Sequence, residues 1–373
     1  VGSTAYKQLL KTKAVGSKAN VGEDAGGVPR AGDWFTTILN FYQGFNEHLK
    51  SALEVYNSQP FEAQRPELPM AEFWKSNGDE LLYTFEIQDP FALLQTLIVW
   101  KKAVLTFRRV VQQEDLDVKA TAWTAGFPVM NTEVVFEDNV SSTSLDGASA
   151  LSHQAALRRQ WYKRPNKGLS RDFIGPSIDT GFRLSQLSTS ERMMISLDLA
   201  HLIGGISFDG AVAKQLRMYY DGTKPLRGVL GGRPYPHFWI VMAEAEGEKA
   251  YELQEAEDEL GGRVRRWLEG GQVTRFCEAF YGQNASYLIP PFICGVNNQP
   301  TWGKMPDGYA DTLKRLIATV TADQTIGERV DKSAKDPGKG APLDQESILA
   351  LASEALGTPR ASESASSGAD IPG

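Results

Sequence analysis

The sequence predicts an α+β fold in which helices cover an antiparallel-rich sheet, and three observations carry that prediction. Residues 34–56 and 91–113 repeat large apolar side chains at helical spacing. Between them, Ser76-Asn77-Gly78-Asp79 separates two extended runs, 70–75 and 80–87, and reads as a hairpin turn. Beyond the second helix the order is strand, helix and then strands, without the regular alternation of a parallel sheet.

Each element has a local reason. Residues 11–32 are rich in Gly, Lys, Ala and Asp and read as a loop, which Asp33 closes as a cap for the first helix. Phe35, Ile38, Leu39, Tyr42, Phe45 and Leu49 give that helix its apolar face. Pro66 and Pro69 clear the way for the first hairpin strand, and Asp89-Pro90 opens the second long helix. Residues 116–123 alternate as a strand. Residues 131–168 look like an irregular polar insertion with one helical patch at 149–161. An extended stretch at 172–174 precedes a helix at 179–187, a strand at 193–196 and a short helix at 197–203. Strands at 217–220 and 237–242 flank a basic loop, 224–233. A charged helix is expected at 244–269 and an apolar cluster at 276–292. The chain thus divides into a main domain, 1–242, a helical extension, 243–322, and a tail, 323–373, whose Ser, Ala, Gly, Asp and Pro cannot build a core.

Composition narrows the function. The 373 residues carry a net charge of −7, so a nonspecific grip on nucleic acid or an anionic membrane is not expected. Two cysteines, Cys277 and Cys294, and four histidines are too few for a disulfide framework or a zinc cage. The most apolar stretch, 91–100, runs straight into Lys101 and Lys102, and no secretory signal is recognisable. The expectation is a soluble cytoplasmic protein. The sequence starts at Val1, not methionine, which leaves room for natural residues upstream.

Three short pieces carry chemistry. Val1-Gly2-Ser3-Thr4-Ala5 is small and hydroxylated, suited to a turn whose N–H groups approach a phosphate, and equally to an ordinary surface turn. Lys75-Ser76-Asn77-Gly78-Asp79-Glu80-Leu81 places a carboxylate, Asp79, at a hairpin tip, where it suits Mg²⁺ or Mn²⁺ or is simply a polar turn residue. In Asp172-Phe173-Ile174-Gly175-Pro176-Ser177-Ile178-Asp179-Thr180-Gly181-Phe182-Arg183-Leu184, Asp179 and Arg183 are four apart, on one helix face. They form either a surface ion pair or a reactive pair framed by Phe173, Ile174, Phe182 and Leu184.

Together these pieces resemble the class III nucleotide cyclases over residues 1–242. In that family a metal-binding Asp shortly precedes a Val-Gly-Ser-Thr type turn. A Lys-x-x-Gly-Asp hairpin then supplies a base-reading lysine and the second metal Asp, and an Asp, an Asn seven residues on and an Arg four further complete the site. Here Lys75, Gly78 and Asp79 match the hairpin, and Asp172, Asp179 and Arg183 keep the later spacing. Leu226-Arg227-Gly228 looks like the family's Leu-Lys-Gly strand, with Arg227 for the triphosphate-holding lysine. The resemblance implies a palm-like fold and a two-metal Mn²⁺ or Mg²⁺ site. It also implies a homodimer with sites at the interface, where the ribose 3′ oxygen attacks the α-phosphorus and pyrophosphate leaves. Gly2, Ser3, Thr4, Lys75, Asp172 and Arg227 would bind the nucleotide. Asp79 would hold metal, Asp179 would orient the ribose and Arg183 would stabilise the transition state.

Two departures stand out. Asp179 replaces the family's asparagine, and the first metal Asp is not present in the sequence, which starts after its expected place. Lys75 with Asp172 suits adenine in the wider family. However, the 172–184 string and Pro234-Tyr235-Pro236-His237-Phe238-Trp239-Ile240 look like the Pycsar cyclases of bacterial anti-phage defence, which make cyclic pyrimidine nucleotides. UTP is the expected substrate ahead of CTP, with Tyr42 either filling the space left by a smaller base or serving the core. The alternatives are an adenylate cyclase and an inactive cyclase-like sensor. A diguanylate cyclase matches only Asn77-Gly78-Asp79-Glu80-Leu81 and has no place for the later spacing.

Overall fold

The computed structural model describes residues 32–59, 65–112, 117–137, 168–206, 210–242, 267–295 and 299–315, with isolated positions between 153 and 161, between 256 and 260, and at 318. Six α-helices and ten strands, mostly antiparallel in their pairing, make these described residues an α+β protein. The described residues fall into two compact units, one drawn from residues 1–132 and 173–306 and one drawn from residues 133–172 and 307–373.

In the first unit, helix α1 (Gly32–Ser58) buries Phe41, Phe45, Leu49 and Leu53, one residue per turn on one face. It starts early enough that Asp33 lies inside it rather than at its cap. Hairpin strands β1 (Glu72–Asn77) and β2 (Glu80–Thr84) follow, paired antiparallel around a Gly78-Asp79 turn. Gly78 takes φ 65°, a left-handed conformation that suits glycine. Helix α2 (Pro90–Gln112) opens with proline, and the Asp89 carboxylate accepts the Ala92 N–H at 2.8 Å. Phe107 of α2 meets Phe45 of α1 with ring centroids 5.4 Å apart.

At 23 residues α2 is long and apolar enough to cross a bilayer, unlike the shorter apolar run the sequence suggested. Two-thirds of its most apolar window (67%) is buried, the signature of a core helix. Its Lys101 is also buried, and the ammonium donates to the Gln215 carbonyl at 2.8 Å.

The main sheet has the order β3-β6-β8-β7. Strand β3 (Thr121–Ala122) runs parallel to β6 (Arg192–Ile195), while β8 (Pro234–Val241) is antiparallel to both β6 and β7 (Met218–Pro225). The alternating run at 116–123 therefore yields only two paired residues, because pairing with β6 involves Thr121 and Ala122 alone. On one sheet face Phe238 and Tyr220 meet Phe276 at 5.6 and 5.1 Å. On the other, Tyr219 stacks on Trp239 at 4.5 Å. Helix α4 (Leu197–Gly205) packs on helix α6 (Gly270–Gln283) through backbone. A Cβ on Gly204 would stand 2.9 Å from the Gly270 carbonyl oxygen. Helix α5 (Gly210–Gln215) precedes β7, and a short antiparallel pair, β9 (Ile293–Cys294) with β10 (Pro300–Trp302), follows α6. Helix α3 (Pro176–Ser185) starts three residues before the expected position, since Pro176 is preset for a first helical turn.

In the second unit, β4 (Thr132–Glu137) and β5 (Leu169–Ile174) pair, and Val135, Leu157 and Leu169 form a small core. The start of the expected irregular insertion is thus a strand, as its Val134-Val135-Phe136 run favours. The Gln154 amide brackets Val135, accepting from its N–H at 3.0 Å and donating to its carbonyl at 2.9 Å. Most of the charged stretch 244–269 and the tail 323–373 lie outside the described residues.

Candidate active site

Asp179, Arg183 and Arg227 come together. Helix α3 projects Asp179 and Arg183 from one face, with the Arg183 guanidinium 3.1 Å from the Asp179 carboxylate. Its Nε donates to the backbone carbonyl of Arg227 at 3.1 Å. A Cβ on neighbouring Gly228 would lie 3.8 Å from the other Asp179 carboxylate oxygen. The pair is half exposed, open to a ligand from solvent, and its two charges offset one another.

The loop that meets α3 follows β7 and is held from below. Leu226, Val229 and Leu230 are buried in the main core. Leu230 takes φ 51°, followed by Gly231 at 62° and Gly232 at 85°. A left-handed leucine costs about 1–2 kcal/mol, and burial of its side chain offsets that cost. At the loop's end the Tyr235 hydroxyl accepts the Leu197 N–H at 2.8 Å, tying β8 to the start of α4. On the loop's surface Arg233 stacks over the Tyr287 ring at 4.7 Å.

Lys75 sits on the hairpin, partly buried, with its ammonium 4.6 Å from the Trp74 ring centroid and 5.6 Å from that of Phe182. Adjacent residues on a regular strand point to opposite faces. A register shift between Phe73 and Lys75 inserts Trp74 as an extra residue, which lets the ammonium lie over its neighbour's ring. Phe182 belongs to α3, so the lysine packs against the helix that carries Asp179 and Arg183. Trp74, Leu82 and Ile178 form a buried cluster there, with Trp123, Phe173 and Phe182 against it. The Trp74 indole N–H is buried without a hydrogen-bond acceptor.

Asp79 lies at the hairpin tip, partly buried. The Tyr42 hydroxyl donates to the Gly78 carbonyl in the same turn, so Tyr42 anchors the turn as well as packing on the core. Asp172 lies on β5 in the second unit, partly buried. Gly2, Ser3 and Thr4 fall outside the described residues.

Among the described residues no group of three His, Cys, Asp or Glu side chains, Asp79 included, is arranged to hold an ion. The described donors therefore do not complete a Mn²⁺ or Mg²⁺ site, which would need a carboxylate from elsewhere.

Residues that the spacing arguments passed over also shape the site. Trp74 and Trp123 carried no motif; their roles follow from a bulge and from the close approach of Trp123 to Gly181, where a Cβ would stand 2.3 Å from the ring. Behind α4, the Tyr281 hydroxyl donates to Asp198 at 2.5 Å, and burial pushes the Asp198 carboxyl up to about 6 against that hydrogen bond. His201, flanked by Tyr281 and Trp302, has its basicity lowered by burial, and its Nδ1 is buried without a partner.

Comparison with known proteins returns no matching family model, no matching curated relative and no matching solved structure, so the chemistry of this site is read from its own residues.

Proposed function

We propose that the chain is a nucleotide cyclase of the class III, Pycsar-like kind, converting a pyrimidine nucleoside triphosphate, UTP first, into its 3′,5′-cyclic monophosphate and pyrophosphate. The observation that carries this reading is the meeting of Asp179, Arg183 and the Arg227-Gly228 loop. Two residues read from one spacing lie beside the backbone of a third, forty-four positions after Arg183, and that proximity supports a shared nucleotide site. In this reading the fold is the palm-like α+β arrangement, the protein is a cytoplasmic homodimer, and the product is a defence signal.

Arg227 and the loop bearing it grip the β- and γ-phosphates, and Arg183 meets the α-phosphoryl oxygens as charge builds on them. Asp179 accepts a hydrogen bond from the ribose. Its negative charge beside a phosphate is tolerable because Arg183 already neutralises it at 3.1 Å. In the reaction the 3′ oxygen bonds to the α-phosphorus and loses its proton, while the bond from the α-phosphorus to the bridging oxygen breaks and pyrophosphate departs. Lys75 presents its ammonium to a base carbonyl, and the Trp74 and Phe182 rings crowding it favour a single-ring base. Mn²⁺ or Mg²⁺ enters this reading through Asp79 and a second carboxylate outside the described residues.

A second reading, an inactive nucleotide-binding sensor, is favoured by the incomplete set of metal donors among the described residues. The test is full-length protein with Mn²⁺ and each of the four ribonucleoside triphosphates separately, products resolved by mass, beside Arg183→Ala. Cyclic UMP or CMP from the wild type alone supports the proposal. Cyclic AMP would make it an adenylate cyclase. Triphosphate binding without any cyclic product would leave the sensor.

A further inference from the structure

We propose that Asn131 is the positioning residue for α3, the helix carrying Asp179 and Arg183, and that it acts as an imported cap. The first N–H groups of a helix have no partner inside it, and the residue before the helix normally satisfies one with its side chain. Here that residue is Gly175, at φ 144° and ψ 173°, with no side chain to offer. Glycine is required there: a Cβ would stand 2.4 Å from the Asn131 Oδ1 and 2.8 Å from its Cα. The close approach that excludes a local cap brings in a distant one. Asn131 Oδ1 accepts the Ser177 N–H at 3.1 Å, and Nδ2 donates to the Ser177 hydroxyl at 3.3 Å.

Asn131 is itself fixed. Its Nδ2 also donates to the Gly126 carbonyl at 3.1 Å, and its backbone N–H donates to the same oxygen at 3.0 Å. Only 2% of the residue is exposed. The leverage is geometric. Arg183 lies six residues beyond Ser177, a rise of about 9 Å, so a tilt of about 10° at the cap moves it by roughly 1.5 Å. A displacement of that size is enough to cost a catalytic group on the order of a hundredfold.

The inference rests on the cyclase reading for its catalytic consequence, so its test has one arm that needs no activity. Hydrogen exchange is followed in wild type, Asn131→Ala and Asn131→Asp, alongside kcat and KM for UTP. In Asn131→Ala, exchange across residues 177–183 is expected to rise about tenfold while β6 and β8 are unchanged. Its kcat is expected to fall at least tenfold with KM nearly constant. Asn131→Asp keeps the acceptor for the Ser177 N–H at a helix start but loses the donor to the Gly126 carbonyl, so it should restore only part of the protection of α3. Exchange rising equally in α3, β6 and β8 would overturn the proposal, and so would a loosened α3 with unchanged kcat. A loosened α3 in a protein whose wild type makes no cyclic nucleotide would uphold the clasp and sink the cyclase reading instead.

Discussion

The guanidinium of Arg183 lies 3.1 Å from the carboxylate of Asp179, one helical turn earlier, while its Nε donates to the Arg227 carbonyl. The arginine is thus oriented before any ligand arrives. An exposed i,i+4 pair is worth only about 0.3–0.5 kcal/mol to folding, so its geometry matters more for orientation than for stability.

Replacing Arg183 should therefore separate activity from folding. Arg183→Lys loses the planar fork and the bond to the Arg227 carbonyl, and the proposed cyclase activity should fall on the order of a hundredfold. Thermal unfolding should stay within about 2 °C of wild type. An Arg183→Lys enzyme with near-normal kcat would remove Arg183 from the reaction.

In the proposed nucleotide site, Asp179→Asn would keep an oxygen for the ribose and remove one negative charge from the neighbourhood of the phosphates. Triphosphate affinity, read by calorimetry, should tighten about three- to tenfold, with kcat held within about tenfold. The gain should shrink with added salt, because the pair is half exposed. Weaker binding would mean that the full negative charge of the carboxylate, and not just an acceptor oxygen, is needed for the ribose or for a bound cation.

Gly181→Ala should damage the site through packing. The new methyl would lie 2.3 Å from the Trp123 ring, so α3 or the indole must move. A loss of about 1–3 kcal/mol in urea unfolding is expected, accompanied by reduced activity. Adding Trp123→Leu should recover part of the stability, and failure of that rescue would show that the contact does not set the packing.

The burial of Asp198, which outweighs its hydrogen bond from Tyr281, predicts a pH dependence of stability. Folding raises the Asp198 carboxyl from 3.8 to about 6, so the folded state holds its proton more tightly than the unfolded chain. Its contribution is complete below about pH 4, declines as pH rises through the interval to about 6, and is absent above it. Asp198→Asn keeps an acceptor for the Tyr281 hydroxyl and does not titrate. Relative to wild type it should gain about 2–3 kcal/mol between pH 4 and 7 in urea unfolding. Parallel curves for the two proteins would rule the group out.

By itself the sequence determined the local elements and the order of the candidate residues. Helical spacing located α1 and α2, Asp89-Pro90 marked the start of α2, and Asn77-Gly78 located the hairpin turn, because each signal acts within a few residues. The four-residue interval between Asp179 and Arg183 likewise places both on one face of any helix. Tertiary structure decided what that face meets. The Arg227 carbonyl is forty-four residues from Arg183, and the aromatic cluster beside Lys75 depends on a bulge at Trp74 and on Phe182 from another element. Asn131 had no visible purpose in its polar stretch, since its partner Ser177 lies forty-six positions away. Periodicity and propensity report the backbone preference of neighbours; a distant close approach, such as Gly175 against Asn131 or Gly181 against Trp123, exists only after the chain has packed.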